Sequence, residues 1–319
     1  MSDFEVGWLA LRAEADNRAR DADLVLPLRP CTQSAEPLPV LDLGCGTGSN
    51  LRFLAPLLEG HQHWLCVDTD PELLARVVPE TKAWAEEGGY GWLVREQSVV
   101  CARPPWQCSL ETRRLDLAGS LSELPIGRSG LVTASALLDL VSEDWLARLV
   151  ERCAEVHVPL LMALTYDGRV ALEPELSLDR DMIEAVNAHQ RRDKGFGPAL
   201  GPAASIRLER LARSHGYRVE VRSSDWMIPP SERHLQAALI RGWCEAARRQ
   251  TPSRATAILD WEAQRLAAVD SGCSRIRVGH RDVLAIPPHP YGQGIRASLE
   301  RCGPYRMRTS MSPLPAPAG

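Results

Sequence analysis

The string Pro39-Val-Leu-Asp-Leu-Gly-Cys-Gly-Thr-Gly48 constrains the fold of this chain more than any other feature. It is a short apolar run ending in closely spaced glycines. Residues 50–58 follow, with Leu51, Leu54, Leu57 and Leu58 spaced for one side of a helix. The pattern reads as buried strand, tight turn, helix. Glycines in such a turn let backbone N–H groups approach a ligand closely. Spacing excludes two familiar loops. A dinucleotide fingerprint needs Gly-x-Gly-x-x-Gly, but residue 49 is serine and the third glycine comes one position early. No Gly-Lys-Ser/Thr follows, so it is not a P-loop.

The same alternation continues downstream. His63-Trp-Leu-Cys-Val-Asp68 is a second strand, and Pro71 suits the first turn of a helix carrying Leu73, Leu74, Val77 and Val78. Further strands are predicted over 112–117, 130–136 and 158–165, with a helix over about 142–155. The fold class expected is α/β: a Rossmann-like, doubly wound, mostly parallel sheet of about seven strands with helices on both faces. The stretch 88–111 breaks the alternation and predicts an inserted hairpin. Ahead of the core, 4–22 has helical spacing with Trp8, Leu9, Leu11 and Ala15 on one face, followed by a Pro-punctuated connector over 27–39.

The second half predicts an amphipathic helix over 178–192, a Gly/Pro loop over 195–202, a helix over 203–215 ending at Gly216, and a strand over 217–221. A long helical section over 231–270 precedes a last strand over 276–286. The organisation expected is one domain over 1–310, with a core at about 38–165 and helical substrate-cap insertions at about 170–202 and 231–270. A mobile lid is expected at 178–202 and a disordered tail at 311–319.

Composition narrows the function classes. A net charge of -4 at pH 7 gives no general attraction to polyphosphate, which disfavours nucleic acid despite the local run Arg191, Arg192, Lys194. No apolar run reaches the length of a membrane span, and the N-terminus lacks an apolar signal core, so a cytoplasmic protein is expected. Nine cysteines form no CxxC pair and no zinc spacing with histidine, and His61, His63, His280 and His289 show no metal spacing either. Reduced thiols and no metal are the expectation.

Asp42-Leu-Gly-Cys-Gly-Thr-Gly48 resembles the first motif of class I SAM-dependent methyltransferases, where SAM is S-adenosylmethionine. The resemblance covers roughly residues 38–165. It implies that Gly44, Cys45, Gly46 and Gly48 pass under the methionine and ribose parts of the cofactor, and that Asp42 helps hold its amino-acid end. Asp68 closes the second strand, 20 residues after Gly48. Its two oxygens suit two ribose hydroxyls, and Cys66-Val-Asp-Thr-Asp-Pro71 fits the family's surroundings for that acid, with Thr69 beside it. Asp70 competes for the role, or both acids cap the next helix. Asp116, with Leu117, matches an acid that accepts from the adenine amino group. Ala134 and Ser135 match the segment lining the cofactor pocket. Arg20, on the N-terminal helix expected over 4–22, a helix of the sort that packs over the cofactor in related enzymes, is the candidate partner of the SAM carboxylate, with Arg18 beside it.

The resemblance implies methyl transfer with S-adenosylhomocysteine (SAH) as product, and the expected helical cap and mild acidity point to a small-molecule acceptor rather than a macromolecule. Asn/Asp-Pro-Pro-Tyr/Phe, used on planar amino groups of bases, is replaced by Thr133-Ala-Ser-Ala-Leu137. Asp139, Tyr166 and His189 are the candidate catalytic residues, because open α/β sheets place ligands beyond the strand exits. Asp167 lies beside Tyr166, and Trp226 is either a stacking platform for a planar acceptor or core. Two alternatives stay open: a SAM-binding partner or regulator without catalysis, and a nucleotide-cofactor oxidoreductase. Oligomeric state is not legible.

Overall fold

The computed structural model describes residues 6–33, 36–95, 98–119 and 121–288. The tail 311–319 lies outside them. The chain opens with helix α1 (Val6–Ala19) and a 3-10 stretch (Ala22–Gln33), so much of the expected connector is wound, with Leu24, Val25 and Leu28 buried. Strand β1 (Leu38–Leu43), helix α2 (Ser49–Leu58), strand β2 (Gly60–Asp68) and helix α3 (Pro71–Glu87) follow as anticipated.

The third core strand departs from expectation. It is β5 (Trp106–Arg114), reached through the antiparallel pair β3 (Gly91–Arg95) and β4 (Ser98–Arg103). The inserted hairpin exists, but the parallel strand runs straight out of it and ends before Asp116 and Leu117. Next come β6 (Leu131–Ser135), α4 (Glu143–Glu155), β7 (Leu160–Glu173), α5 (Asp179–Gln190), α6 (Ala204–Ser214) and β8 (Arg218–Ser223). Then β9 (Trp226–Ile228), α7 (Arg233–Gln250), α8 (Ala255–Asp270) and β10 (Arg275–Ile286) complete the described chain.

All ten strands join one sheet in the order β3-β4-β5-β2-β1-β6-β7-β10-β8, with β9 paired to β10. The expected count of about seven omits the hairpin strands and β9. Neighbours from β5 through β2, β1 and β6 to β7 are parallel, while β10 is antiparallel to β7 and β8. The chain winds outward from β1 to β5, then crosses back to β6. That reversal between β1 and β6 is the topological switch point, beside which open α/β sheets bind ligands.

Period-two alternation along the strands builds two cores. Val40, Trp64 and Cys66 face α2 and α3, meeting Leu51, Leu54 and Val77. Leu41, Leu43, Leu65 and Val67 face the other way, meeting Leu146 and Leu149 of α4 and Leu208 of α6. Each such leucine contributes about 1.5–3 kcal/mol by leaving water.

A third core lies above the parallel strands. The later half of β7, the first half of β10 and β9 rise past the sheet's carboxyl edge, and α1, α5, α7 and α8 pack on this extension through Tyr166, Leu172, Met182, Trp226, Ile240 and Trp261. Tyr166 and Asp167 therefore lie within β7, not after it. Buried Asp179 ties the extension together, accepting from Trp261 Nε1 at 2.7 Å and from the Leu176 amide at 2.8 Å, and pairing with Arg265. At the end of the 178–202 stretch, the Leu200 amide donates to the Val141 carbonyl at 2.8 Å, and Phe196 meets Trp145 edge-on at 5.5 Å. Among the described residues no helix is long and apolar enough to cross a membrane.

Candidate functional site

The glycine loop emerges from β1 at the switch point. Gly46 has φ +54° and its N–H donates to Asp68 Oδ2 at 2.9 Å, which draws the loop against the end of β2. The other oxygen, Asp68 Oδ1, accepts the Asp70 amide at 3.0 Å. Each carboxylate oxygen thus carries one donor and has capacity for another. Asp70 instead caps α3, accepting from the Glu72 amide at 2.8 Å and the Leu73 amide at 3.4 Å. Asp116 is exposed and accepts the Ala118 amide at 2.9 Å. Its neighbour Leu115 donates to the Asp68 carbonyl at 2.9 Å, so the two acids stand at adjacent strand ends. Leu117 is buried and its carbonyl takes the Trp145 indole N–H, while exposed Thr69 accepts from Arg114 through its carbonyl. Ala134 and half-buried Ser135 close β6, the neighbour of β1. Cys45 is buried, and hydrogen bonding with Cys66, then burial, push its thiol well above the usual range.

Asp42 lies wholly inside, 0% exposed. Asn50 Nδ2 donates to its Oδ1 at 2.7 Å and is 3.1 Å from Thr133 Oγ1, which donates onward to the Leu161 carbonyl. Asp42 Oδ2 and Asn50 Oδ1 have no partner. Burial pushes the Asp42 carboxyl up to about 7, opposed by the Asn50 hydrogen bond and the charge of Arg20. Arg20 is also buried, with its guanidinium 4.0 Å from the centroid of the Phe53 ring. Its Nε has no acceptor. Burial pushes Arg20 down from its usual value, against the attraction of Asp282, then Asp16, then Asp42. Unpaired buried polar atoms are costly and rare, so an orphan donor and orphan acceptors of opposite charge in one region call for a ligand.

Helix α1 brings Arg20 there because its inner face is polar. Arg12, Asp16 and Arg20 recur every four residues, and the Arg12–Asp16 pair is buried at 2.8 Å. Of the expected apolar face, Ala15 is buried and half-buried Trp8 and Leu11 pack against the third core, beside half-buried Leu9. Asp16 also accepts from Trp226 Nε1 at 3.0 Å. Trp226 is core, packed between Arg12 at 5.1 Å and His280 at 4.8 Å. Arg18 is partly exposed and pairs with Glu14 and Glu232.

Two non-glycine residues take left-handed backbone at the strand exits, Ala136 (φ +53°) after β6 and Leu164 (φ +51°) within β7. Such conformations cluster at ligand sites. Beyond Ala136, Asp139 is buried, and burial pushes its carboxyl up to about 6 against the charges of Arg12 and Lys194. Beyond Leu164, the Tyr166 hydroxyl donates to Asn187 Oδ1 at 2.8 Å, and burial, with the charges of Asp167 and Asp139, pushes it up. Asp139 and Tyr166 are thus electrostatic neighbours. His189 is not brought to them. It faces Arg192, Lys194 and the α7 residues Arg249 and Glu245, and burial first, then those cations, push it down.

Sequence reasoning missed Arg12, Asp16, Asn50, Thr133, Asn187, His280 and Asp282. The four-residue spacing of Arg12, Asp16 and Arg20 was a visible signal, and Asn50 sits on the buried face of a readable helix. His280, pushed down to about 4 chiefly by burial, and Asp282 come together with the site only through β10. Among the described residues no group of three or more His, Cys, Asp or Glu side chains is arranged to hold a metal ion.

The chain matches no protein-family model and no curated protein. Among solved structures it is similar to phosphoethanolamine N-methyltransferase 2 of Haemonchus contortus in complex with phosphomonomethylethanolamine and SAH. Identity is 13% over 84% of this chain and 52% of that one, with a TM-score of 0.39. The chain spans about half the length of that enzyme. It is similar to a cyclopropane synthase of Mycobacterium tuberculosis, at 10% identity over 89% of this chain and 100% of that one, TM-score 0.39. It is also similar to a SAM-dependent methyltransferase of Thiobacillus denitrificans in complex with SAH, at 14% identity over 89% and 99%, TM-score 0.40.

Proposed function

We propose that this chain is a SAM-dependent methyltransferase that acts on a small-molecule acceptor and releases SAH. The observation that carries the reading is the unpaired couple of Arg20 Nε and Asp42 Oδ2, buried at the switch point and forming no ion pair with each other. A guanidinium and a carboxylate held apart are the complement of a zwitterionic α-amino acid, whose carboxylate takes Arg20 and whose ammonium takes Asp42 and Asn50 Oδ1. The amino-acid end of SAM is such a group. A nicotinamide dinucleotide carries none, which, with the early third glycine, disfavours the oxidoreductase reading.

The remaining residues fit the rest of the cofactor. Asp68 has an acceptor site free on each oxygen for ribose hydroxyls, Gly44 to Gly48 give close backbone approach, and Asp116, Leu117, Ala134 and Ser135 border the adenine side. The cofactor supplies a methyl group on a sulfonium, a good leaving group, so the protein's task is to orient the acceptor and remove its proton where it has one. Asp139 is the base we favour, since a carboxyl poised at about 6 is ionised at neutral pH and still basic enough to accept a proton. Tyr166 stays protonated and orients. The setting we propose is the cytoplasm, in keeping with the buried free cysteines Cys45, Cys66, Cys101, Cys108, Cys153 and Cys244.

The test is calorimetric titration with SAH, with 5′-methylthioadenosine, which lacks the amino-acid end, and with NAD. Micromolar SAH binding is expected. Arg20→Ala should weaken it by about tenfold or more (roughly 1.4 kcal/mol) and leave methylthioadenosine unchanged. No SAH binding by folded protein sinks the reading, and preferential NAD binding moves it to the oxidoreductase. Tight SAH binding without turnover of any acceptor favours the non-catalytic binder.

A further inference from the structure

The ladder between β7 and β10 breaks just before His280: Asp167, Gly168 and Arg169 of β7 stand against Gly279 alone. Gly279 is required there, since a Cβ would overlap Asp167 Oδ1 and Arg169 Cβ. Bulges of this kind re-aim side chains beside functional sites. His280 resumes the ladder directly opposite Tyr166, and its ring folds back until Nδ1 lies 3.1 Å from the Val278 carbonyl. A carbonyl only accepts, so Nδ1 carries the proton and Nε2 of the neutral ring carries the lone pair. Burial first, then the charge of Arg12, holds the ring neutral, against the Val278 hydrogen bond and the charges of Asp167 and Asp225. The ring sits between Tyr166, with centroids 6.1 Å apart, and Trp226 at 4.8 Å, itself anchored on Asp16 at 3.0 Å. The Tyr166 hydroxyl is already spent on Asn187. His280 Nε2 is not spent: it has no hydrogen-bond partner among the described residues, in a residue only 6% exposed. Nor is it sealed off, as the orphan Thr165 Oγ1 and Gln236 Oε1 are.

We infer that His280 is a specificity-determining residue whose Nε2 takes a hydrogen bond from an O–H or N–H group of the methyl acceptor, a group beside the atom that is methylated. This rests on the proposed methyl transfer and on Tyr166 as the orienting residue of the acceptor side. A buried acceptor atom without a partner is costly, and an entering donor removes that cost. The fixed tautomer makes Nε2 an acceptor only, so it selects a donor over an ether, an alkene or a tertiary amine. The nucleophilic atom's lone pair forms the new bond to the methyl carbon, the carbon–sulfur electron pair returns to sulfur in SAH, and the nucleophile's proton passes to Asp139. The second donor keeps its own proton and stays on His280. The acceptor class is thus a small molecule with a hydroxyl or amino group beside the nucleophilic one: an amino alcohol, a diol or an aminophenol.

The experiment follows transfer of tritiated methyl from SAM, in the full chain, to paired acceptors that differ by one donor: 3-amino-1-propanol against propylamine, 2-aminophenol against aniline, and resorcinol against phenol. Wild type should favour at least one two-donor member over its partner by about tenfold or more in kcat/KM. His280→Phe, which keeps a ring in the packing, should erase that preference while single-donor turnover, SAH affinity and melting stay near wild type. His280→Gln, whose amide oxygen stands in for Nε2, should restore part of it. If His280→Phe unfolds, nitrogen NMR of isotope-labelled histidine in the wild type carries the test. The free protein should then show the proton on Nδ1, and with SAH present the two-donor member should shift the Nε2 resonance while its partner does not. Equal use of both members of every pair overturns the proposal, as does a preference that survives His280→Phe, or a proton on Nε2. No transfer to any member by protein that binds SAH overturns it too. Failure of the wild type to bind SAH marks failure of the underlying functional reading instead.

Discussion

Leu9 of α1 lies over Gly46 of the glycine loop: a Cβ at Gly46 would come within 3.3 Å of Leu9 Cδ1. The residue also has φ +54° and donates to Asp68. Gly46→Ala should therefore cost about 1–2 kcal/mol through left-handed strain. It should weaken SAH binding as well, because Asp68 loses its alignment with the loop. Urea denaturation and calorimetry check both, and retention of both wild-type values would show that the loop tolerates a side chain.

The Asp42 carboxyl gives the free protein a pH dependence with a definite sign. It titrates at about 7 in the folded chain and at about 3.9 when unfolded. Between those values the folded state holds a proton that the unfolded chain has released. This group's contribution to stability therefore falls as pH rises through that window. Asp42→Asn should melt higher than wild type at pH 8, with the gap closing towards pH 4. In the wild type, an incoming ammonium favours the ionised form, so SAH binding below pH 7 should release a proton, visible as a buffer-dependent binding heat.

Asp68 offers two oxygens, each with one backbone donor already in place. Asp68→Ala removes both acceptors and frees the loop, and should weaken SAH and methylthioadenosine alike by about tenfold or more. That shared loss separates Asp68 from Arg20, whose removal should affect SAH alone.

Asp139→Asn should leave SAH affinity near wild type and reduce methyl transfer to a proton-bearing acceptor by about a hundredfold or more. The acid limb of the wild-type rate profile should fall near pH 6 and vanish in the variant. Persistence of that limb would assign the base elsewhere.

Arg265 is 1% exposed, pairs with Asp179 and donates to the Pro174 carbonyl at 2.7 Å. Arg265→Ala leaves Asp179 buried with only neutral donors and should cost about 3–5 kcal/mol. Urea denaturation should show this as an early transition of α5, α7 and α8, followed through the fluorescence of Trp243 and Trp261.

The first half of the fold was legible because buried parallel strands read as apolar runs and each is punctuated by its own turn chemistry: glycines at 44–48, Asp70-Pro71 before α3, Ser142 before α4. The third strand was misplaced because β5 follows its hairpin with no helix between, and the usual break in pattern is missing. The upper half of β7 was missed because the apolar run of 158–165 gives way at Tyr166 to Asp167-Gly-Arg169, a turn-like break in pattern that the strand passes through. Asp42, Gly44 to Gly48 and Asp68 could be found because they are local to a turn. Asp282 could not, because its partners lie 118 and 58 residues away and only the shifted register of β10 aims it inward.

Arg20 and Asp282 come from opposite ends of the described chain, and α1 packs against α7 and against β9, which itself hangs on β10. The glycine loop and Asp68 need only the first strands to pair, whereas the proposed amino-acid anchor at Arg20 needs the last strand between β7 and β8. On the proposed reading, the growing chain would hold the half of the site that takes a nucleoside before the half that takes an amino acid. Selection of a full cofactor by such a site would be deferred until the chain has emerged through residue 286, a timing set by contacts of high sequence separation.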